Sequence, residues 1–141
     1  MIARLEGTLF EKTPTRVVVD VSGVGYELSV PLSTFATLPD EGKTVSLWVH
    51  THVREDAFVL YGFATTRERD VFHLLLRANR VGPRLAQTIL SGIDPAVLCD
   101  ALGHGDVKVL RGVPGIGPKM AERMIVSVQT LQRLEAGDPT V

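Results

Sequence analysis

The chain has 141 residues, 45% of them hydrophobic, and a formal net charge of −1. This length suits one medium domain or two small ones, and the hydrophobic fraction argues against general disorder. No apolar run reaches the roughly 18–20 residues of a membrane span, and the N-terminus does not read as a signal peptide. The single cysteine, Cys99, cannot form an internal disulfide, so we expect a cytoplasmic protein.

Charge is distributed unevenly along the chain. Residues 1–63 carry five Lys/Arg and eight Asp/Glu, whereas residues 64–141 carry ten and eight. Because opposite charges attract over several ångströms, an anionic partner is expected to meet the second part first.

Residues 1–63 predict about five short strands separated by Gly, Pro and Asp. A small closed or partly closed antiparallel barrel buries such strands without long exposed edges. The alternating pattern also places Trp48, His50 and His52 on the face opposite the core. The residues predicted to face inward are Val17, Val19, Val21, Tyr26, Leu28, Val30, Val45, Leu47, Val49 and Val53.

The second part changes to a helical period. Helices are predicted in RERDVFHLLLRAN, in PRLAQTILSG ending at Gly92, after Asp94 as N-cap, and from Pro118 to Leu134. The predicted fold class is therefore α+β, with a barrel at 1–63, a helical domain at 64–134 and linker-like residues at 135–141. The apolar residues at helical spacing are Val71, Phe72, Leu75, Leu76, Leu85, Ala86, Ile89, Leu90, Ala121, Met124, Ile125, Val128 and Leu131.

The helical part contains an internal repeat. RVGPRLAQTIL aligns with GIGPKMAERMI at a constant offset of 35 residues, and each copy has a hydrophobic-Gly-Pro turn followed by a basic residue and a helix. This order predicts a helix–hairpin–helix motif used twice. The identical pairs are Gly82/Gly117, Pro83/Pro118 and Ala86/Ala121.

These residue types suit contact with phosphate. Glycine lets the backbone approach a partner closely. Proline at the first helical position lacks an N–H group, but an N–H there would have no partner within the helix. The remaining N–H groups of the helix start bind anions, and Arg84, Lys119 and Arg123 add positive charge. The predicted contact therefore positions DNA without reading its bases.

Other interpretations of the repeat fit less well. Two units are fewer than the roughly three that a helical solenoid needs. Gly112 and Gly117 have P-loop spacing, but Pro118 displaces the lysine and no Ser or Thr follows Lys119. A dinucleotide-binding fold would need a β-α-β unit around these glycines, and none is predicted.

With these motifs in place, the sequence resembles the RuvA family of Holliday-junction-binding subunits. The resemblance runs from Met1 to about Leu134, through MIARLEGTL, VGYEL, VREDAFVLYGF, VGPRLA and GVPGIGPKMAERMIV. It implies an oligonucleotide-binding (OB) type barrel, two helix–hairpin–helix motifs, and tetramers or face-to-face octamers on an open four-way junction. It also implies recombination and repair, an SOS context, delivery of the junction to the RuvB ATPase, and contact with the RuvC resolvase.

The resemblance assigns roles to particular residues. It places Glu55 and Asp56 at a hairpin tip near the junction centre, where the carboxylates repel phosphates; without it, REDA would be a solvated turn. The implied DNA-binding residues are Arg80, Val81, Gly82, Arg84, Gly115, Gly117, Lys119 and Arg123.

Two departures from the family pattern bear on these expectations. Arg80 stands where the family usually has Gly, so it either carries a small steric cost or adds a phosphate contact. The chain ends in EAGDPTV, whereas similar proteins continue to a third helical domain that engages the ATPase. Coupling to RuvB is therefore expected to be weak.

No cofactor or metal site is predicted. His50 and His52 are two apart on one strand face, but no Cys or carboxylate cluster joins them, and Cys99 is interpreted as a small core residue. No nucleophile–base pair suggests catalysis, so the chain is not expected to be an enzyme. Two alternatives stay open: a repair nuclease or glycosylase that uses the hairpins as a DNA clamp, and an oligomerisation module whose hairpins bind protein.

Overall fold

The computed structural model describes residues 1–78 and 81–135, with side chains described as far as Thr130. Two compact units divide the chain, the first ending at Arg69 and the second beginning at Asp70. The first unit holds β1 (Arg4–Thr13), β2 (Arg16–Val21), β3 (Val24–Ser29), α1 (Leu32–Phe35), β4 (Thr44–Val53) and β5 (Phe58–Phe63). The helices that follow are α2 (Thr66–Arg77), α3 (Pro83–Gly92), α4 (Pro95–His104), α5 (Val107–Arg111) and α6 (Pro118–Glu135).

The five strands form a closed barrel in the order β1-β2-β3-β5-β4, which confirms the predicted α+β fold class. One feature differs from the antiparallel barrel expected from sequence, because β3 pairs with β5 in parallel. The chain between β3 and β4 crosses the barrel through α1, and the hairpin after β4 then returns β5 in the direction of β3. This closing seam has only two residue pairs, Leu28↔Leu60 and Ser29↔Tyr61.

The barrel interior is filled by the alternate residues that the sequence pattern predicted. Val17 lies opposite Leu28 across β2 and β3, and both are fully buried. Val53 is an exception, being 67% exposed, because β4 runs past the end of the core towards its hairpin. Gly7 in β1 is required by close packing, since a Cβ there would collide with the carbonyl oxygen of Asp20.

The first turn of α2 packs within the barrel unit through a buried carboxylate. Glu68 is 5% exposed and accepts hydrogen bonds from the hydroxyls of Ser33 (2.8 Å), Thr34 (2.7 Å) and Thr65 (3.0 Å). The Thr34 hydroxyl in turn accepts from the backbone N–H of Ala64 at 3.2 Å. These bonds tie α1 to the residue after β5 and to the first turn of α2, within the compact unit that ends at Arg69. The predicted domain limits themselves stay a prediction.

The second unit has its own core. Its fully buried side chains come from all five helices and include Phe72, Ile89, Leu98, Leu110 and Met124. Leu76 and Leu85, both predicted at apolar helical positions, are partly exposed, and the side chain of Leu131 lies outside the described residues. Residues 136–141, predicted as linker, also lie outside the described residues.

Candidate nucleic-acid interface

Two hairpins in the second unit have matching local geometry. The first joins α2 to α3 and the second joins α5 to α6. In the first turn, the N–H of Val81 donates to the carbonyl of Ala78 at 3.3 Å; in the second, Ile116 donates to Val113 at 3.1 Å. The two sequence copies, which are offset by 35 residues, therefore also form equivalent backbone hydrogen bonds.

The helices that leave these turns begin in the same way. Proline occupies the first position of both α3 and α6. The first helical bonds run from Ala86 to the carbonyl of Gly82 and from Ala121 to that of Gly117, each at 3.0 Å. The N–H groups between proline and alanine have no carbonyl within the helix to bind, which is the usual state of a helix start. Glycine supplies no side chain that could cap them.

Burial alternates so that each hairpin is anchored on one side and open on the other. Val81 and Ile116 are 5% and 6% exposed, and Ala86 and Ala121 are fully buried. The Gly and basic positions of both copies, in contrast, are exposed. A Cβ built on Gly82 or Gly117 meets nothing within 4 Å. A partner therefore has access to the backbone of both turns.

Gly115 has a different role from these open glycines. Its φ is +89°, in the left-handed region where a side chain is strained. The position equivalent to Gly115 in the first copy is Arg80, which lies outside the described residues. The proposed cost or gain at Arg80 therefore stays a prediction.

Exposed cations lie beside the open helix starts. Arg84 follows Pro83, and Lys119 follows Pro118. Arg123 lies one turn beyond Lys119, and the two line an open groove of about 460 Å³ along α6 together with Glu122, Val126 and Ser127. None of these three cations forms an ion pair with any described residue. Their positive charge is therefore available to a partner.

Sequence reasoning missed two further cations near the second hairpin. Lys108 and Arg111 lie in the last turn of helix α5, and α5 directly precedes the loop of the second hairpin. Net basic charge in the second part of the sequence was the only signal for them, because a five-residue helix is too short to show a clear period.

The other helix starts of this unit are closed by their own carboxylates. Asp94 caps α4 by accepting from the N–H groups of Ala96 (2.9 Å) and Val97 (3.4 Å), as predicted. Asp106 caps α5 by accepting from Val109 at 3.4 Å. A negative side chain already occupies these two helix starts, whereas the glycine-led starts of α3 and α6 have no such cap.

Glu55 and Asp56 lie at the tip of the β4–β5 hairpin. The N–H of Arg54 donates to the carbonyl of Ala57 at 2.8 Å and closes the turn. Both carboxylates are exposed. The predicted hairpin position is therefore observed, and the role of these charges stays a prediction.

The remaining candidates do not form a reactive cluster. The rings of His50 and His52 stack at 6.2 Å, and His50 lies 6.5 Å from Tyr61. Among the described residues, no three His, Cys, Asp or Glu side chains converge as a metal site would require. Cys99, predicted as a core residue, is only partly buried.

In the described ranges, no single helix is long and apolar enough to cross a bilayer. α3 and α4 reach that length and hydropathy only when taken together, and they are bent by 105° at their junction.

Comparison with known families matches both parts of the chain. Residues 1–62 match the RuvA N-terminal domain, and residues 72–130 match the SAM-like helix-hairpin-helix tandem. These limits agree with the barrel and with the hairpin-bearing helices described above.

Similar proteins carry the name Holliday junction branch migration complex subunit RuvA. The one from Pelobacter propionicus is 54% identical over 129 residues, covering 92% of this chain and 65% of the relative. The one from Pseudomonas putida is 49% identical over 129 residues, covering 92% and 63%. The one from Geobacter sp. strain M21 is 45% identical over 140 residues, covering 99% and 70%.

The chain thus spans about 65% of the length of several of these relatives. Identity near one half, both domain matches and the paired hairpins lead to the same assignment. The chain belongs to the RuvA family.

Proposed function

We propose that this chain binds four-way (Holliday) junction DNA by its structure and not by its sequence, and supports branch migration in recombination and repair. The observation that carries the proposal is the pair of hairpins with open helix starts, each followed by an exposed cation. Backbone amides and Lys/Arg side chains bind phosphates, which are the same at every base pair.

The two hairpins present equivalent donors in two places. In each copy the amides after proline, together with Arg84 or with Lys119 and Arg123, meet a phosphate. The dipole of the helix adds partial positive charge at the same point. Because these donors sit on helices with buried anchor residues, they hold the backbone at fixed positions without rearrangement.

Glu55 and Asp56 act in the opposite sense. Exposed carboxylates at a hairpin tip repel phosphates, and several copies around a crossover would keep the strands apart. This part of the proposal depends on the assembly of several subunits around one junction. The names of the relatives say only that each is a subunit of a branch migration complex.

The partners proposed with this function are further copies of the chain in a tetramer or octamer, the RuvB ATPase and the RuvC resolvase. RuvB would supply the chemistry, so the chain itself acts as a DNA-binding subunit in the cytoplasm without its own catalytic site. The relatives' names support membership of a branch migration complex.

A competition gel shift tests the proposal. The chain is titrated onto a four-way junction in the presence of linear duplex of the same sequence. In the second arm, it is titrated onto the duplex in the presence of the junction. We expect strong preference for the junction and a steep loss of affinity with salt. Equal and weak binding to both would overturn junction specificity, and accumulation of cleaved strands would indicate the nuclease alternative.

Replacing Lys119 and Arg123 by alanine tests the second hairpin. We expect weaker binding to every DNA. The salt slope, which is the slope of log affinity against log salt concentration, should be smaller in magnitude by up to about 2, because each cation releases about one counterion. Lys43→Ala, which removes an exposed cation from the barrel unit, is the matched control. Unchanged binding by the hairpin variant would contradict the assignment.

A further inference from the structure

Two exposed apolar side chains lie at the base of the β4–β5 hairpin. Val53 and Phe58 are directly opposite each other in the register of the two strands. Residues in such a pair share one face of the hairpin, with Cβ atoms about 4.5–5.5 Å apart. Val53 is 67% exposed and Phe58 is 63% exposed. An apolar pair therefore adjoins the tip that carries Glu55 and Asp56.

This pair continues the row of side chains that fills the barrel. Successive residues of a strand point to opposite faces, so Phe58 lies on the same face of β5 as Leu60. Leu60 is 6% exposed and belongs to the barrel core. The core-facing side of β5 thus passes from a buried leucine to an exposed phenylalanine within two residues. Phe58 lies where the core ends and solvent begins.

Phe58 also lines an open groove of about 450 Å³ on the barrel unit. The groove lies at the seam of β3 and β5, where only two residue pairs join the strands and both pairs lie after Tyr26 in β3. Val24, the first residue of β3, is 53% exposed. The apolar residues that line the groove are Ile2, Val24, Tyr26, Phe58, Val59 and Leu60.

The charges around the groove do not suit a phosphate. No Lys or Arg is among the lining residues, and the one charged side chain is Glu27, whose carboxylate lies 3.3 Å from Arg16. The neighbouring hairpin tip adds the exposed carboxylates of Glu55 and Asp56, which repel phosphates. The face of a DNA base is uncharged and stacks on an aromatic ring, so it is the part of DNA that suits Phe58.

Base faces are available at the centre of a junction and not along a duplex. Within a linear duplex, each base pair is covered by a neighbour on both sides. At the centre of an opened four-way junction, the innermost pair of each arm has no stacked neighbour on one side. The proposed function places the tip of the β4–β5 hairpin at this centre, and Phe58 is two residues from that tip.

We propose that Phe58, beside Val53, is a stacking site for the bases at the centre of the junction, and that this contact favours a junction over a duplex. The inference rests on the proposed function for the position of the hairpin. The helix–hairpin–helix motifs bind phosphates, which every DNA carries, whereas Phe58 binds a surface that only the junction centre exposes. The site therefore contributes selectivity and involves no charge.

The variant Phe58→Ala is titrated onto a four-way junction and onto linear duplex over a series of salt concentrations. We expect about tenfold weaker junction binding at every salt concentration, as for the loss of one aromatic–base stack. The salt slope and the affinity for duplex should stay unchanged, because no phosphate contact is removed. Phe58→Trp, which keeps an aromatic ring, should retain the wild-type preference.

Phe10→Ala is the matched control for the loss of an exposed phenyl group. Phe10 lies in β1 of the same barrel, is 67% exposed and is not among the residues that line the groove. We expect this variant to bind the junction and the duplex as the unmodified chain does.

A junction that lacks the bases next to the crossover tests the contact directly. Abasic sugars replace these nucleotides, and the phosphates stay in place. We expect the unmodified chain to bind this junction about tenfold more weakly than the intact one, and Phe58→Ala to bind both equally. Such non-additivity indicates contact between the two groups removed, and a merely structural role of Phe58 does not produce it.

The outcomes separate this inference from the proposed function. A wild-type preference for the junction in Phe58→Ala, with Lys119→Ala/Arg123→Ala weakened, would overturn the stacking site and leave junction binding intact. Reduced self-association of Phe58→Ala in sedimentation, with equal losses on intact and abasic junctions, would assign Phe58 to contact with a second copy instead. Absence of any junction preference in the unmodified chain would overturn the proposed function, and the stacking site with it.

Discussion

At the scale of single residues, the two glycines of the second hairpin perform different tasks. Gly115 has a φ of +89°, whereas Gly117 has no left-handed φ and lies beside open space. We expect Gly115→Ala to lower the free energy of unfolding by about 1–2 kcal/mol, because an L-residue in the left-handed region is strained. Urea unfolding measures this change.

Gly117→Ala is the matched substitution in the same turn. Its Cβ meets no described atom within 4 Å, so stability should change little, yet on the proposed function the methyl group occupies space that a phosphate needs. We expect near-wild-type unfolding with weaker DNA binding in a gel shift. Full binding by this variant would contradict close approach of the backbone to DNA.

At the scale of elements, the start of α2 depends on one buried carboxylate. Glu68 accepts from three hydroxyls, and its N–H also donates to the Thr65 hydroxyl at 3.2 Å. We expect Glu68→Ala to destabilise the chain by about 2 kcal/mol or more, because the buried Thr34 hydroxyl and two partly buried hydrogen bonds lose their acceptor. Thermal or urea unfolding provides the measurement.

A capping residue on the surface gives the comparison for Glu68. Asp94 caps α4 from an exposed position, and Asp94→Ala should cost about 1 kcal/mol, as is typical of N-cap loss. If Glu68→Ala cost no more than Asp94→Ala, the buried network would contribute little beyond an ordinary cap.

At the scale of the whole molecule, a net charge of −1 leaves little general attraction to DNA. On the proposed function, DNA binding therefore comes from local groups acting together. If both hairpins contact one DNA molecule, Arg84→Ala and Lys119→Ala should each reduce the salt slope by about 1, and the double variant by about 2. A double variant no different from one single variant would mean that a single hairpin carries the contact.

The sequence by itself determined the strands, the main helices and the paired hairpins. Each depends on local physics: alternation of apolar residues, the 3.6-residue period, and Gly-Pro turns whose φ values and missing N–H are intrinsic to those residues. The positions of Gly82, Gly117, Arg84 and Lys119 followed directly from the repeat, because each copy folds by the same local rules.

Only the tertiary structure decided how distant segments meet. The parallel seam of β3 and β5, the hydroxyls around Glu68 and the groove beside Phe58 join residues far apart in sequence, and no local period encodes such contacts. The short α1 also escaped prediction, since four residues show no clear helical period. Contacts across the barrel arise from closure of the chain, and closure depends on all five strands together.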